Sequence, residues 1–183
     1  MARKIKLDLH THPIEALREK MGIKGIGNIN REVAAEIVKA VKSAGLDGIA
    51  ITERNNFNHG WVACLEILDH YPGEKLIILP GAEIEVGREH FLQIYIPDKY
   101  RRRVPFFNNK EWFLILAHPD PYLDSDPRYS TSIPFDAVEE QSLRGDFAVA
   151  EQICRERNIP KIKTSDAHTL GDIGLKYTEF EFR

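Results

Sequence analysis

The sequence predicts an α/β protein whose core is a mostly parallel β-sheet covered by helices. Short runs rich in Ile, Val and Leu alternate along the chain with segments of helical periodicity. Strand, helix and strand in repeated succession are typical of a parallel sheet with crossover helices. The chain has 183 residues, of which 43% are hydrophobic and 29% charged, so we expect one compact domain over residues 1–183 and no disordered or coiled-coil chain.

Seven apolar runs are predicted as strands and three amphipathic stretches as helices. The strands cover residues 5–9, 48–52, 76–79, 91–96, 113–117, 137–138 and 161–164. The helices cover residues 31–44, 61–68 and 147–157, and the first of them stops before Gly45, a common helix-terminating residue. Residues 98–110 and 119–134 are predicted as loops, and the length of the second loop suggests a functional role.

The charge balance and the hydropathy pattern argue against several classes of protein. Lys and Arg total 25 against 28 for Asp and Glu, and the resulting formal charge of -3 does not favour nucleic acid as a partner. No apolar run reaches the roughly 20 residues that a membrane helix needs, and no signal-peptide core follows the charged start. We therefore expect a cytoplasmic protein without a membrane partner. Cys64 and Cys154 lie in predicted helices and are expected to be reduced and buried.

Polar or ionisable residues directly follow five of the predicted strands. In open α/β sheets and in barrels, the carboxyl ends of parallel strands converge on one edge, where ligands bind. We therefore expect a single functional site at this edge. The residues concerned are, in chain order, His10 and His12, Glu53 and Arg54, Glu83, His118, and Asp166 and His168.

The residue types at these strand ends are those of a metal site. His10 and His12 are two residues apart in an extended segment, so both side chains leave the same face of the strand and can bind one ion. Each residue also has an ordinary explanation when taken singly: His118 before a proline can cap its strand, and Asp166 can begin an Asx turn. Together, however, several imidazole and carboxylate groups suit divalent zinc, manganese or iron.

Seven motifs, in their order and approximate spacing, resemble the PHP (polymerase and histidinol phosphatase) domain over nearly the whole chain. The resemblance implies a distorted seven-stranded (β/α) barrel of minimal length, a multinuclear metal site at the carboxyl ends of its strands, and metal-dependent phosphoesterase activity. The motifs are Asp8-Leu-His-Thr-His12, Gly48-Ile-Ala-Ile-Thr52, Pro80-Gly-Ala-Glu83, His90-Phe-Leu, Ala117-His-Pro119, Asp136-Ala-Val-Glu139, and Ser165-Asp-Ala-His168 followed by Asp172-Ile-Gly174.

The same resemblance implies which residues hold the ions. The implied ligands of a first ion are His10, His12, Glu83 and Asp166. The implied ligands of a second ion are Glu83 as a bridging carboxylate, His90 and His118. His90 begins its predicted strand, so it reaches this edge only if that strand runs antiparallel to its neighbours. Many family members hold a third ion, for which His168 is the ligand that remains here.

The chain departs from the family pattern after the second strand, where Thr52-Glu53-Arg54 replaces Thr-Asp-His. Arginine stays protonated and has no lone pair to offer a cation, so two ions are expected instead of three. Its planar guanidinium can instead bind two phosphate oxygens, which makes Arg54 the predicted substrate-binding and catalytic group in place of the third ion. The alternative is that Arg54 pairs with Glu53, Glu15 or another carboxylate and has no catalytic role.

The expected function is hydrolysis of a small phosphate ester or nucleotide, because two neighbouring ions lower the pKa of a shared water enough to provide hydroxide near neutral pH. His168 is the predicted proton donor to the leaving alcohol, with a water on the metal as the alternative. Arg128, in the long loop, is a second predicted phosphate contact. Two other functions stay open: hydrolysis of a C–N or ester bond, and a catalytically impaired domain that acts as a scaffold or regulatory module. The oligomeric state does not follow from the sequence.

Overall fold

The structure, a computed structural model, describes residues 2–21, 29–119 and 133–183, apart from the side chains of Glu19 and Lys20. The strands are β1 (Arg3–Thr11), β2 (Gly48–Ile51), β3 (Ile77–Val86), β4 (Glu89–Tyr95), β5 (Trp112–Ala117), β6 (Ala137–Ser142), β7 (Gly145–Asp146), β8 (Lys161–Lys163) and β9 (Thr178–Phe182). The helices are α1 (Pro13–Met21), α2 (Arg31–Ser43), α3 (Phe57–His70), α4 (Asp98–Arg101) and α5 (Val149–Arg157), with a 3-10 turn at Pro105–Phe107.

All of these strands belong to one mixed sheet, which curls into a half-barrel. The strand order is β7-β6-β5-β4-β3-β2-β1-β9, and β8 pairs with β6 beside this path. The pairs β1–β2, β2–β3, β5–β6 and β6–β8 are parallel. In contrast, β4 runs antiparallel to both β3 and β5. The predicted α/β class is therefore confirmed, but the sheet is mixed and not mostly parallel: the described strands form four parallel and four antiparallel pairs.

The strand count does not confirm the predicted seven-stranded (β/α) barrel. The sheet has nine strands, and helices do not separate all of them. Only Gly87 and Arg88 connect β3 to β4, and Gly87 adopts the left-handed φ of 70° that a tight hairpin turn requires. In addition, β9 pairs antiparallel with β1, and β7 with β6. Apolar runs identify strands but not their pairing direction, so the sequence pattern does not predict these antiparallel pairs.

Helix α1 is a second feature that the hydrophobic pattern does not predict. The backbone N–H groups of Ile14 and Glu15, in its first turn, donate hydrogen bonds of 2.6 and 3.2 Å to the carboxylate of Glu53. These N–H groups have no partner within the helix, so a carboxylate that accepts from them stabilises its start. Because Glu53 follows β2, a residue distant in sequence supplies this cap. The predicted loop at 98–110 also contains α4 and the 3-10 turn.

The strands carry apolar residues into the core and polar residues to the carboxyl ends of the parallel strands. In β1, Ile5, Leu7 and Leu9 are buried among residues of β3, β4 and β5, while Asp8 and His10 alternate with them. The antiparallel direction of β4 places His90 opposite Ala117, at the end of β5. This confirms the condition under which His90 reaches the predicted site. Cys64 is buried, Cys154 is half-buried, and both are free thiols.

Candidate metal centre

Four side-chain atoms converge where β1, β3 and the segment after β8 meet. They are His10 Nε2, His12 Nε2, Glu83 Oε2 and Asp166 Oδ1, and each is buried without a hydrogen-bond partner among the described residues. The Asp166 oxygen lies 3.3 Å from His10 Nε2 and 3.4 Å from His12 Nε2. The Glu83 oxygen lies 3.8 Å and 3.4 Å from the same two nitrogens.

Three of these four distances match the ligand separations expected around one ion, and the fourth, 3.8 Å between Glu83 Oε2 and His10 Nε2, is slightly longer. Zinc binds imidazole nitrogen and carboxylate oxygen at about 2.0–2.2 Å, which places neighbouring ligand atoms about 3.3–3.6 Å apart. Buried polar atoms without partners are otherwise rare and costly. The first group of predicted ligands therefore fits a divalent cation, and its four members are those that the family resemblance implies.

Glu83 also takes part in a second group, through its other oxygen. Glu83 Oε1 lies 2.6 Å from His90 Nδ1 and 2.9 Å from His118 Nε2. One carboxylate thus directs one oxygen into each group, as a carboxylate that bridges two ions would. His90, His118 and Glu83 together form a second candidate cation site.

Glu139 orients ligands of both groups, and the residue pattern does not assign it this role. One of its oxygens lies 3.1 Å from His10 Nδ1 and also accepts a hydrogen bond from the Thr164 hydroxyl. Its other oxygen accepts a 2.6 Å hydrogen bond from the backbone N–H of His118. His118 has a φ of 27°, a region that non-glycine residues rarely adopt. Glu139 directly follows the apolar run predicted at residues 137–138, and this position is the sequence signal that could have pointed to it.

Asp8 anchors the segment that carries Asp166, Arg144 pairs with Asp166 itself, and the sequence pattern reveals neither contact. The buried carboxylate of Asp8 accepts hydrogen bonds from the backbone N–H groups of Ser165 and Gly174, each at 3.0 Å. Burial raises the pKa of Asp8 to about 6 despite these hydrogen bonds. Arg144 Nε donates to Asp166 Oδ2, which leaves Oδ1 to face the two histidines. Asp166 itself has a φ of 53°.

The electrostatics of the first group suit a cation. Burial would raise the pKa of Glu83, but its contacts with His10, His118 and His90 hold that pKa well below the ordinary range. Burial would likewise raise the pKa of Asp166, and its contacts with His12, His10 and Arg144 lower it more strongly. Burial lowers the pKa of His12, so its imidazole is neutral. Burial would lower the pKa of His10, but its contacts with Glu139, Glu83 and Asp166 raise it to about 10, so an ion that binds here would displace the His10 proton. With that proton removed, two ionised carboxylates and two neutral imidazoles are a donor set for a divalent ion.

Arg54 lies within the site, and the carboxylate near its guanidinium is that of Glu83, which leaves open the alternative that Arg54 pairs with another carboxylate. Its Nη2 lies 3.0 Å from His168 Nε2, and its Nε lies 3.6 Å from Glu83 Oε2. Its side chain is 46% exposed, so the guanidinium is open to solvent on one side. The nearby carboxylate is thus Glu83, a member of both candidate ion sites.

The hydrogen bonds of His168 define its tautomer. Its Nδ1 lies 3.0 Å from the carbonyl oxygen of Asp166, which can only accept, so Nδ1 carries the proton. In the neutral ring Nε2 then accepts from Arg54. His168 also forms a possible cation group with His12 and Asp166, adjacent to the first group. In this arrangement Nε2 holds no proton for a leaving alcohol.

The other residues named in the sequence analysis lie outside the two main groups of candidate ligands or outside the described residues. A further possible cation group contains His12, Glu15 and Glu53. There the carboxylate of Glu53 already caps α1, and burial raises its pKa to about 8. Arg128 lies outside the described residues. His59 and His70, which occupy no motif position, belong to none of the candidate cation groups that the described residues form.

Comparisons with known proteins find similarity to PHP-related proteins. A family model described as PHP-associated matches residues 148–183. A two-domain protein of Bacteroides vulgatus ATCC 8482, which contains a predicted PHP-like metal-dependent phosphoesterase, matches with 18% identity and a TM-score of 0.59. That match covers 92% of this chain and 53% of the Bacteroides protein, so the chain spans about half of its length. No curated protein matches.

Two further solved structures have the same fold. PsfC from Pseudomonas syringae PB-5123 is 17% identical with a TM-score of 0.58, over 98% of this chain and 82% of PsfC. A candidate metal-dependent phosphoesterase from Bifidobacterium adolescentis ATCC 15703 is 15% identical with a TM-score of 0.57, over 94% of this chain and 92% of that protein. The predicted PHP resemblance is confirmed. None of the helices in the described residues is long and apolar enough to cross a membrane.

Proposed function

We propose that this PHP-type chain is a metal-dependent phosphoesterase that hydrolyses a small phosphate ester or nucleotide with two divalent ions. The observation that carries the proposal is the division of Glu83, which directs Oε2 to one histidine pair and Oε1 to the other. The first ion would lie among His10, His12, Glu83 and Asp166, and the second among Glu83, His90 and His118. Zinc, manganese and iron suit this donor set.

The ions, when bound, would lower the pKa of a water and neutralise charge on the phosphoryl group. The chain's own contribution at the substrate is the guanidinium of Arg54, which is half exposed at the rim of the site. A guanidinium can donate two parallel hydrogen bonds to phosphate oxygens and so hold the phosphorus in position for in-line attack. Arg128 stays a predicted second phosphate contact.

We assign to His168 the role of donating a proton to the leaving alcohol. This role requires that the Arg54 side chain move away from His168 Nε2. While Arg54 donates to Nε2, this nitrogen cannot protonate anything. Once Arg54 donates to the phosphate instead, Nε2 is free to take up a proton from solvent and deliver it. The hydrogen bond from Nδ1 to the Asp166 carbonyl keeps the ring in place during this exchange.

We further propose that the sheet corresponds to the predicted distorted seven-stranded barrel, within a single domain over residues 1–183. An isolated bridge between Thr11 and Ala167 joins the end of β1 to the segment after β8. The N–H of His12 donates to the Ala167 carbonyl at 2.9 Å, and the N–H of Ala167 donates to the His10 carbonyl at 3.3 Å. These contacts support a ring of β1 to β6 and β8, to which β7 and β9 are additions. A cytoplasmic location stays a prediction from the sequence.

The test is a metal analysis followed by a substrate panel. Protein purified without chelator should contain about two divalent ions and hydrolyse some phosphomonoesters or phosphodiesters in an ion-dependent way. His90→Ala should lose the second ion and most turnover, whereas His70→Ala, outside the site, should keep both. Turnover of amides or lactones in place of phosphate esters would favour the alternative hydrolase. Absence of both bound metal and turnover would favour the scaffold function.

A further inference from the structure

Arg144 is a second arginine at the rim of the metal centre. It lies in the turn that follows β6, at the same edge of the sheet as the candidate ligands. The turn is attached to the Asp166 segment, because the N–H of Leu143 donates to the Ser165 carbonyl at 3.1 Å. The N–H of Arg144 donates to Ser142 Oγ, also at 3.1 Å. The position of Arg144 relative to Asp166 is therefore set by the backbone.

The side chain of Arg144 connects the buried site to solvent. Its Nε donates to Asp166 Oδ2, while the side chain of Arg144 is 43% exposed and that of Asp166 is 0% exposed. The other oxygen of Asp166 faces the first candidate ion. Within the described residues, the terminal amino groups of Arg144 have no partner. The carboxylate of Asp166 thus lies between the guanidinium of Arg144 and the first candidate ion site.

Arg54 has an equivalent relation to the other carboxylate of the first group. Its Nε lies 3.6 Å from Glu83 Oε2, and its side chain is likewise about half exposed. The two arginines follow β2 and β6, with three strands of the sheet between them, so they approach the site from separate sides. Without metal, each guanidinium is balanced by a carboxylate. Divalent ions that bind Glu83 and Asp166 would take up this negative charge and leave both guanidinium groups without a balancing anion.

We propose that Arg144 is an anion-binding residue that, with Arg54, receives a phosphate group once the divalent ions are bound. The ligand class is a tetrahedral oxyanion, as free phosphate or as the phosphoryl group of an ester. The inference rests on the proposed function, because a phosphate site matters here only if the substrate is a phosphate ester. Its test, however, measures phosphate binding and needs no enzymatic activity. Phosphate binds guanidinium groups through charge-assisted, often bidentate hydrogen bonds, which the free amino groups of Arg144 can supply.

The test measures binding of inorganic phosphate by calorimetry, with and without saturating Mn²⁺, and counts the bound ions in each variant. In the metal-loaded protein, Arg144→Gln should weaken phosphate binding about 10- to 100-fold at an unchanged ion count. Arg144→Lys keeps the positive charge, so its affinity for phosphate should fall less than that of Arg144→Gln. Arg102→Gln, an exposed arginine away from the site, is the matched control and should bind as wild type does. Without metal, wild type and Arg144→Gln should bind phosphate equally weakly.

Three results would overturn the inference. The first is unchanged phosphate affinity in metal-loaded Arg144→Gln. The second is a loss of ions from that variant, since Arg144 would then act by positioning Asp166. The third is tight phosphate binding without metal. Failure of the proposed function is a separate result. If the protein binds phosphate through Arg144 but hydrolyses no ester, the proposed function is wrong and the inference about Arg144 stands. The KM for an active ester should rise in parallel with the Kd for phosphate.

Discussion

Glu139→Gln should weaken the binding of both ions, although Glu139 binds neither of them. The carboxylate is fully buried and accepts hydrogen bonds from three donors: His10 Nδ1, the Thr164 hydroxyl and the backbone N–H of His118. Glutamine has the same shape, but one of its two terminal groups is an amide donor. Either placement of this amide conflicts with a ligand.

If the amide nitrogen replaces the oxygen near His118, two N–H donors face each other at a site where the carboxylate accepts at 2.6 Å. If it replaces the oxygen near His10, Nδ1 must become the acceptor and the proton moves to Nε2, the atom that faces the first ion. Leaving a buried donor unsatisfied costs about 1–3 kcal/mol. Removal of such a partner of a metal-bound histidine typically lowers metal affinity 10- to 100-fold, which is about 1.4–2.8 kcal/mol.

The assay is a competition titration of each ion against a chromophoric chelator, with the Co²⁺ absorption spectrum as a report on ligand geometry. Glu140→Gln is the matched control, because Glu140 is the next residue of β6 and pairs with Lys161 at 2.9 Å instead of a ligand. Its affinities should equal those of wild type. Wild-type affinity for both ions in Glu139→Gln, with an unaltered Co²⁺ spectrum, would refute the orienting role.

Two other predictions concern the residues that replace the family's Thr-Asp-His pattern. Arg54→Ala should lower kcat/KM for a phosphate ester about 10- to 100-fold at an unchanged ion count, since the proposed ligand of Arg54 is phosphate and a guanidinium cannot bind a metal ion; unchanged kcat/KM would leave only the pairing with Glu83. Burial raises the pKa of Glu53 from 4.5 to about 8, so folding favours its protonated form. The contribution of protonated Glu53 to the free energy of unfolding is fully present below pH 4.5 and is lost as the pH rises through 8. Glu53→Gln should therefore match wild type in acid and be more stable at alkaline pH, by at most about 5 kcal/mol, in denaturant titrations of metal-free protein; a constant difference across this range would contradict the assignment.

Local sequence pointed to most of the candidate ligands because they follow the apolar runs that predict strands, whereas His90, which lies at the start of β4, came from the family resemblance alone. His10 and His12 follow the apolar part of β1, and His118 directly follows β5. These positions depend on a few neighbouring residues, so they can be inferred before any strand pairing is known. The same reasoning missed α1, β7 and β9, whose formation depends on partners elsewhere in the chain. For α1 this partner is Glu53, and for β9 it is the first half of β1.

The sequence by itself determined the α/β class, the strand ends that carry ionisable groups and the exclusion of Arg54 as a ligand. These follow from side-chain chemistry and from periodicity within short segments. Only the tertiary structure decided that β4 runs antiparallel, that the two oxygens of Glu83 contact two different groups of histidines, and that Glu139 contacts His10 and His118. The contact of His10 with Glu139 spans 129 positions in sequence. Such a pairing depends on how the sheet curls, and the curl of the sheet cannot be inferred from the residues of any short segment.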